Sequence, residues 1–277
     1  MKYEAEVWRK AYCDDGYVII RDLLVSQLLL KLREAMERIM NNSERLPPSL
    51  KDKIFFEREH VKNNAQRYPD LTPEQCGNNV REISDLPLFD PAFAELICYP
   101  PLLDVLEALF QSTEFSFYLQ IGHPKAARVG NGLLHFHRDC ANEDFTSADT
   151  ITAILCLDEM TAENGATVFV PGSHRVSDEE AMKPRWRTVE ESELSPENMV
   201  KACCPAGTGI FFSSKVIHGT GHNRSDYSRR TILMGWAGSD VLPISAIRFP
   251  FQGLKPRSKN PAYQEQMKKT FQNLIVG

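Results

Sequence analysis

The residues that could carry chemistry lie in one short stretch, His135-Phe136-His137-Arg138-Asp139. On an extended segment, side chains two residues apart point to the same face, so His137 and Asp139 project together and could bind one metal ion. His135 lies on that face too, two residues earlier. The local sequence therefore leaves open which histidine is the ligand. Only the His-x-Asp pair supplies an imidazole and a carboxylate at the required spacing.

A centre built from two histidines and one carboxylate needs a further imidazole, and it leaves three coordination positions open. His218 is the candidate, because it follows an apolar run and precedes Gly219, where a strand end could aim a side chain into a barrel mouth. On spacing alone the His-x-Asp pair is weak evidence for a metal, since exposed and core histidines are common.

The wider context of these residues is more specific. Eleven residues after His218 stands Arg229, and the segment between them reads GTGHNRSDYS. Upstream, residues 163–175 read ENGATVFVPGSHR. Together with His137-Arg138-Asp139, these blocks closely resemble the phytanoyl-CoA dioxygenase family. The early segment Asp15-Gly16-Tyr17-Val18-Ile19 fits the family too, so the resemblance covers roughly residues 10–237.

The resemblance implies a double-stranded β-helix (jelly-roll) core, with Fe(II) as the metal, 2-oxoglutarate as cosubstrate and O₂ as oxidant. It implies that the iron is held by His137, Asp139 and His218. It also implies that Arg229 holds the distal carboxylate of 2-oxoglutarate. A guanidinium suits that role, because it donates two parallel charge-assisted hydrogen bonds to a carboxylate. Thr220, two residues past His218, resembles the family's small hydroxyl residue that assists the same carboxylate.

Two further site predictions concern strands. Arg230 would point away from Arg229 if both lie on a strand, and the eleven-residue offset selects Arg229 for the pocket. Gln120 is predicted to contact the proximal part of 2-oxoglutarate. In that region the chain departs from the family, which often has a lysine in a Lys-Pro pair, whereas this chain reads His123-Pro124.

The elements that must position these residues change character along the chain. Tyr17–Ile20 is β-rich and short enough for a strand. Residues 24–40 carry an apolar stripe at helical spacing, and residues 90–110 are helical again with a break at Pro100-Pro101. Between them, residues 42–80 are polar and lack a period, which indicates an irregular segment with short helices that covers a pocket.

After Gly130 the apolar pattern becomes that of strands. Helices that precede strands, rather than alternate with them, argue against a βαβ fold. Several short strands with turns between them favour a sandwich or barrel. The predicted fold class is therefore mainly β with flanking α-helices around a double-stranded β-helix. The β-branched or aromatic runs occur at residues 133–136, 150–157, 167–170, 209–212 and 231–236.

A chain of 277 residues is expected to form one domain. We expect a helical N-terminal part at 1–115, a jelly-roll core at about 116–240 and a C-terminal extension at 241–277 that ends in a helix around 263–274. Residues 175–200 are predicted to be an excursion between strands. Residues 40–80 and 176–200 lack a clear family match, so substrate choice is expected there.

Composition and net charge restrict the kinds of molecule that the protein is expected to bind. A net charge of −5 argues against a general nucleic-acid binder. No apolar stretch approaches the roughly 18 residues that span a bilayer, and the N-terminus is charged, so we expect a cytoplasmic protein without membrane contact. The seven cysteines lack CxxC spacing and fit reduced thiols. The expected partner is a small-molecule substrate, and the expected state is a monomer or homodimer.

The predicted function is that of a 2-oxoglutarate-dependent dioxygenase. It would oxidise, by default hydroxylate, a small organic molecule of natural-product biosynthesis and release succinate and CO₂, with no catalytic side chain beyond the metal centre. Asp139 disfavours halogenation, because halogenating relatives lack this carboxylate and bind halide in its place. The alternatives are an acyl-CoA hydroxylase of the phytanoyl-CoA type, a non-catalytic iron sensor, a zinc hydrolase and a cupin-like isomerase. Arg229 distinguishes the oxygenase from the zinc hydrolase, because a zinc hydrolase has no use for a residue that anchors 2-oxoglutarate.

Overall fold

The computed structural model describes residues 2–130, 136–245 and 251–275, and these form two antiparallel sheets with helices on one side. In spatial order, the seven-stranded sheet contains β1 (Tyr17–Ile20), β8 (Gly209–Ser213), β5 (Thr150–Cys156), β10 (Arg229–Ala237), β4 (Ser116–Lys125), β3 (Val80–Ser84) and β2 (Ile54–Phe56). The three-stranded sheet contains β7 (Val200–Lys201), β6 (Thr167–Phe169) and β9 (His218–Thr220).

Most of the helices precede β4. The α-helices are α1 (Lys2–Asp15), α2 (Ser26–Asn41), α3 (Pro48–Lys51), α4 (Glu57–Asn63), α5 (Pro73–Cys76), α6 (Pro91–Ile97), α7 (Pro100–Phe110), α8 (Asp178–Ala181) and α9 (Pro261–Ile275). Single 3₁₀ turns lie at Ser43–Arg45, Ala65–Arg67, Leu86–Leu88, Asp139–Ala141, Pro184–Arg187, Glu191–Glu193 and Pro196–Asn198. Within the described residues, no helix has the length and apolar character needed to cross a bilayer.

Strand β5 shows how the two faces of the large sheet are used. All seven of its residues are buried, because helices cover one face and the small sheet covers the other. Ile151, Ala153 and Leu155 pack into the cluster that contains the helices. Ile154 and Cys156 face the opposite way, towards the small sheet. The interior between the two sheets is therefore the space in which a jelly-roll site can form.

Aromatic packing joins the sheets. The Phe169 ring of β6 lies 5.2 Å from the Phe212 ring of β8 and stacks on the Tyr17 ring of β1 at 4.5 Å. On the outer face, α2 packs through a stripe at helical spacing that includes Leu32, Met36 and Ile39. Burying one such side chain stabilises the folded protein by roughly 1.5–3 kcal/mol relative to leaving it exposed to water.

The predicted elements are largely confirmed. The strand at Tyr17–Ile20, the helix within 24–40 and the strands within 150–157, 167–170, 209–212 and 231–236 are all present. The break at Pro100 separates α6 from α7, because the residue before a proline is held extended, as Tyr99 is at ψ 112°. The excursion at 175–200 and the C-terminal helix are also confirmed.

The elements that were not predicted from the sequence include α1, β2, β3, β4 and β7. Strand β2 lies in the polar segment 42–80 and, through β3, adds an edge to the large sheet. Three strands before residue 116 therefore join the sheet, and the N-terminal part is not purely helical. Most of the strand predicted at 133–136 lies outside the described residues, although Phe136 bridges to Val189.

A substitution at Ile232 tests whether β10 lies in the centre of the large sheet. Its side chain is fully buried between β4 and β5, so Ile232→Ala is expected to lower the free energy of unfolding by about 2–5 kcal/mol through lost burial and a cavity. The matched control is Ile244→Ala, since Ile244 is 66% exposed and its truncation should change stability by about 0.5 kcal/mol or less. Urea denaturation of both variants measures the difference. Equal losses would contradict the assigned core.

Candidate metal centre

The backbone itself brings His137 and His218 together. The N–H of His137 donates to the carbonyl of His218 at 2.9 Å, and the N–H of His218 donates to the carbonyl of His137 at 3.0 Å. This reciprocal pair is an antiparallel bridge at the first residue of β9. Residues directly opposite in such a pair project to the same face. The two imidazole centroids lie 4.4 Å apart as a result.

Asp139 completes a three-residue cluster. Its Oδ1 lies 3.2 Å from Nε2 of His137 and 3.4 Å from Nε2 of His218. One ligand atom from each residue falls within 4.8 Å of the others, a spacing that can hold a metal ion. Arg138 points the other way, with its guanidinium 4.4 Å above the Trp186 ring. The predicted alternation is confirmed, while the rival His135 lies outside the described residues.

The protonation states suit metal ligation. Nδ1 of His218 lies 3.2 Å from the carbonyl of Val216 and donates to it, which leaves Nε2 for the cluster. Burial lowers the pKa of His218 to about 4, although Asp139 acts to raise it. Burial would raise the pKa of Asp139, but His218, His137 and a 2.9 Å hydrogen bond from Thr152 together lower it to about 2. At neutral pH the metal-free site thus offers the neutral imidazole of His218 and a carboxylate.

Arg229 lies across the same cavity, as predicted. Its Nη2 donates to the carbonyl of Gly165 at 2.6 Å and its Nη1 to Oγ1 of Thr231 at 3.2 Å. Its Nε has no hydrogen-bond partner among the described residues. Burial lowers the pKa of Arg229 to about 10, so the guanidinium stays charged at neutral pH. Arg230 points to the opposite face, where its Nε lies 2.8 Å from Oδ2 of Asp158.

Thr220 and Lys125 complete this cationic end. Lys125 is the direct cross-strand partner of Arg229 in the β4–β10 register. Its Nζ donates to Oγ1 of Thr220 at 2.6 Å, and Thr220 donates to the carbonyl of Gly165 at 3.0 Å. Burial lowers the pKa of Lys125 well below its usual value, and the charges of Arg229 and Arg81 lower it further. Sequence reasoning missed Lys125, although strand alternation from His123 could have found it.

The prediction of Gln120 as a cosubstrate contact is wrong. Gln120 is 1% exposed, and its amide donates to the carbonyl of Phe93 in α6 at 3.1 Å. Alternation along β4 explains the error, because His123 and Lys125 face the cavity while Gln120 and Gly122 face the helices. A Cβ on Gly122 would lie 3.0 Å from the side chain of Met36 in α2.

A cavity of about 140 Å³ connects the three-residue cluster with Arg229 and Lys125. One wall is apolar, so bulk water is poorly accommodated there. Another wall carries charges from the segment that precedes the barrel strands. The apolar residues are Ile154, Phe212 and Leu233, and the charged ones are Glu57 and Arg81.

A jelly-roll whose interior holds two histidines and a carboxylate defines the class of non-haem iron oxygenases. The chain belongs to the phytanoyl-CoA dioxygenase family, because the sequence model of that family matches residues 12–231. This confirms the family that the sequence motifs indicate. The mainly β fold with flanking helices agrees with it.

Named relatives and a solved structure agree. The chain is 28% identical over 232 residues to dioxygenase aneA of Aspergillus aculeatus, covering 80% of this chain and 68% of that protein. It is 25% identical over 212 residues to L-proline trans-4-hydroxylase of Streptomyces griseoviridis, covering 68% and 78%. The epimerase SnoN in complex with Fe³⁺, α-ketoglutarate and nogalamycin RO superposes with a TM-score of 0.67 at 18% identity, covering 88% of each chain. At that identity the likeness shows the fold.

A second carboxyl group, Glu143, lies near the cluster. Its Oε1 accepts a hydrogen bond from the Tyr118 hydroxyl at 2.5 Å, and its Oε2 accepts one from Thr150 at 2.8 Å. Burial, and then the negative charge of Asp139, raise the pKa of Glu143 to about 7. The folded protein therefore holds a proton at Glu143 under conditions in which the unfolded chain has lost it.

This proton makes stability depend on pH. Because the folded pKa of Glu143 lies above the ordinary value of 4.5, the stability that it contributes is present below pH 4.5 and is lost as pH rises towards 7. Glu143→Gln keeps the shape of the side chain and cannot ionise, so the variant should lose less stability than wild type between pH 5 and pH 8. Urea unfolding in EDTA across that range measures this difference, with the exposed Glu197→Gln as the control. Parallel curves for wild type and Glu143→Gln would refute the assignment.

Proposed function

We propose that this chain is a single-domain Fe(II)- and 2-oxoglutarate-dependent dioxygenase that hydroxylates a small organic molecule and releases succinate and CO₂. The observation that carries the proposal is the arrangement of one cavity. A cluster suited to a metal faces it, and two buried basic side chains in its lining, Arg229 and Lys125, oppose each other across β4 and β10. The cluster and the cations correspond to the two ends of a dicarboxylate cosubstrate.

The iron would be held by His137, Asp139 and His218. Two imidazoles and one carboxylate, with no thiolate, suit Fe(II) and leave positions free for exchangeable ligands. When bound, the iron supplies the activation of O₂, which protein side chains do not provide. The chain's own contribution is orientation: Val216 fixes the ring of His218, and Thr152 fixes the carboxylate of Asp139. The carboxylate also disfavours halogenation.

The far carboxylate of 2-oxoglutarate would bind Arg229, Lys125 and Thr220. Burial and the guanidinium of Arg229 directly opposite disfavour the charged form of Lys125. A bound carboxylate favours that charged form, because both side chains then form charge-assisted hydrogen bonds to it. The Nε of Arg229 has no hydrogen-bond partner in the described part of the chain, so it is a donor available for such a contact.

The remaining walls would position the substrate and exclude water. Ile154, Phe212 and Leu233 supply apolar surface in the cavity that the metal cluster and Arg229 also line. Hydroxylation is supported by a relative named L-proline trans-4-hydroxylase, and a natural-product role by the nogalamycin RO bound to SnoN. All seven cysteines are free thiols, which supports a cytoplasmic setting.

The metal and cosubstrate assignments have a direct optical test. Adding 2-oxoglutarate to the anaerobic Fe(II) protein should produce a weak visible charge-transfer band, and Asp139→Ala or His218→Ala should abolish it. His174→Ala is the matched control, because that ring lies beside the carbonyl of Cys13, outside the cavity. The proposed function fails if wild type shows no band.

The two adjacent arginines allow a second test. Arg229→Gln should raise the Kd of 2-oxoglutarate roughly 10- to 100-fold, since it removes a charged hydrogen-bonding partner worth about 1.5–3 kcal/mol. Arg230→Gln is the control, because Arg230 pairs with Asp158 on the opposite face of β10. Titration of the charge-transfer band gives both Kd values. Similar effects of the two substitutions would rule out Arg229 as the anchor.

A further inference from the structure

An ion pair in the cavity wall lies outside the proposed metal ligands and the proposed contacts to the cosubstrate. Glu57 is the first residue of α4 and is 1% exposed. Its Oε2 lies 3.1 Å from Nη1 of Arg81 on β3, whose side chain is 13% exposed. Both residues line the cavity that the metal cluster and Arg229 face. Through this pair, the cavity wall offers a substrate one negative and one positive group.

Stability alone does not account for this pair. Burying two charges costs desolvation free energy that their attraction offsets only in part, and apolar residues of the same volume are often as stabilising. The same cavity does use apolar residues elsewhere in its lining, including Ile154 and Leu233. A charged pair kept at the cavity surface is therefore better explained by a ligand that uses both charges.

The backbone holds this wall at a defined place. Strand β3 pairs with β4 through Ile83 opposite Gly122, so Arg81 lies near His123. The His123 ring forms a hydrogen bond with the backbone of Arg81, and burial, followed by the nearby cations, lowers the pKa of His123 to about 3. The imidazole is thus uncharged at neutral pH. In this wall Glu57 and Arg81 carry the charges that a substrate would meet.

Charge balance identifies the matching substrate. The Glu57–Arg81 pair sums to zero, and it presents one carboxylate and one guanidinium to the cavity. A substrate with a single charge would compensate one member and compete with the other, which is costly in a buried site. A zwitterion satisfies both, because its ammonium group can bind Glu57 while its carboxylate binds Arg81.

We propose that Glu57 and Arg81 form the substrate-recognition site of the enzyme and select a small zwitterion of the amino-acid class, with one carboxylate and one ammonium group. This inference rests on the proposed function, since it places the zwitterion beside the proposed iron and 2-oxoglutarate. Segment 42–84, which contains both Glu57 and Arg81, would then set the substrate specificity.

The probes are the twenty proteinogenic L-amino acids, together with their amides, which keep only the cation, and their N-acetyl derivatives, which keep only the anion. Each is added to the anaerobic Fe(II)·2-oxoglutarate protein, and the shift of the charge-transfer band gives its Kd. Succinate release in air is then measured for each probe. At least one amino acid should shift the band, stimulate succinate release, and bind at least about tenfold more tightly than its amide or N-acetyl form, as expected when one charged contact is lost.

Substitutions assign each charge to its partner. For the amino acid that binds best, Arg81→Gln should remove the preference over the amide, and Glu57→Gln the preference over the N-acetyl form. The double variant Glu57→Gln/Arg81→Gln removes both charges of the pair together, so it tests the same point if a single variant is unstable. Arg230→Gln breaks an ion pair outside the cavity and should leave every Kd unchanged.

The outcomes separate the two proposals. If the charge-transfer band never forms, the proposed function fails. If the band forms in wild type and in the Glu57 and Arg81 variants, but no amino acid shifts it, the zwitterion site is wrong while the function stands. The site is also wrong if the amide or N-acetyl forms bind as tightly as the amino acid, or if the variants keep the wild-type preferences.

Discussion

The reciprocal main-chain hydrogen bonds between His137 and His218 are the constraint on which the rest of the site depends. They join a segment that follows β4 to the first residue of β9, and they place two imidazoles on one face. A slip of one residue in this pairing would turn one ring to the opposite face and leave Asp139 with a single histidine. The packing of Phe169 against Phe212 holds the two sheets at the distance that this pairing requires.

The opposite end of the cavity depends on a second register. In the β4–β10 pairing Arg229 lies directly opposite Lys125, and burial leaves both cations short of solvent. Local rules for sheet stability disfavour such a pair. Departures of this kind are expected where a protein binds a ligand, because the bound state recovers the free energy that the empty site lacks. The same reasoning applies to the buried Glu57–Arg81 pair, whose charges lie on the wall of the same cavity.

The three parts of the site come from three different regions of the fold. The metal cluster lies where the small sheet meets the segment that follows β4. Arg229 and Lys125 lie within the large sheet. Glu57 and Arg81 come from the N-terminal segment that adds β2 and β3 to that sheet. The barrel could therefore keep the proposed metal and cosubstrate contacts while changes in the N-terminal segment alter the substrate. This separation fits a family whose named relatives include both a dioxygenase of unspecified substrate and a proline hydroxylase.

The sequence by itself determined what depends on local periodicity and on motif spacing. Alternation placed Asp139 with His137 and separated Arg229 from Arg230, because a side chain's face on a strand follows from its position alone. Tertiary structure decided which face of each strand meets the cavity. That choice put Gln120 against the helices and Lys125 opposite Arg229, and it brought Glu57 and Arg81 to a wall formed with barrel strands far away in the chain. These relations follow from the pairing of distant strands, which no local pattern encodes.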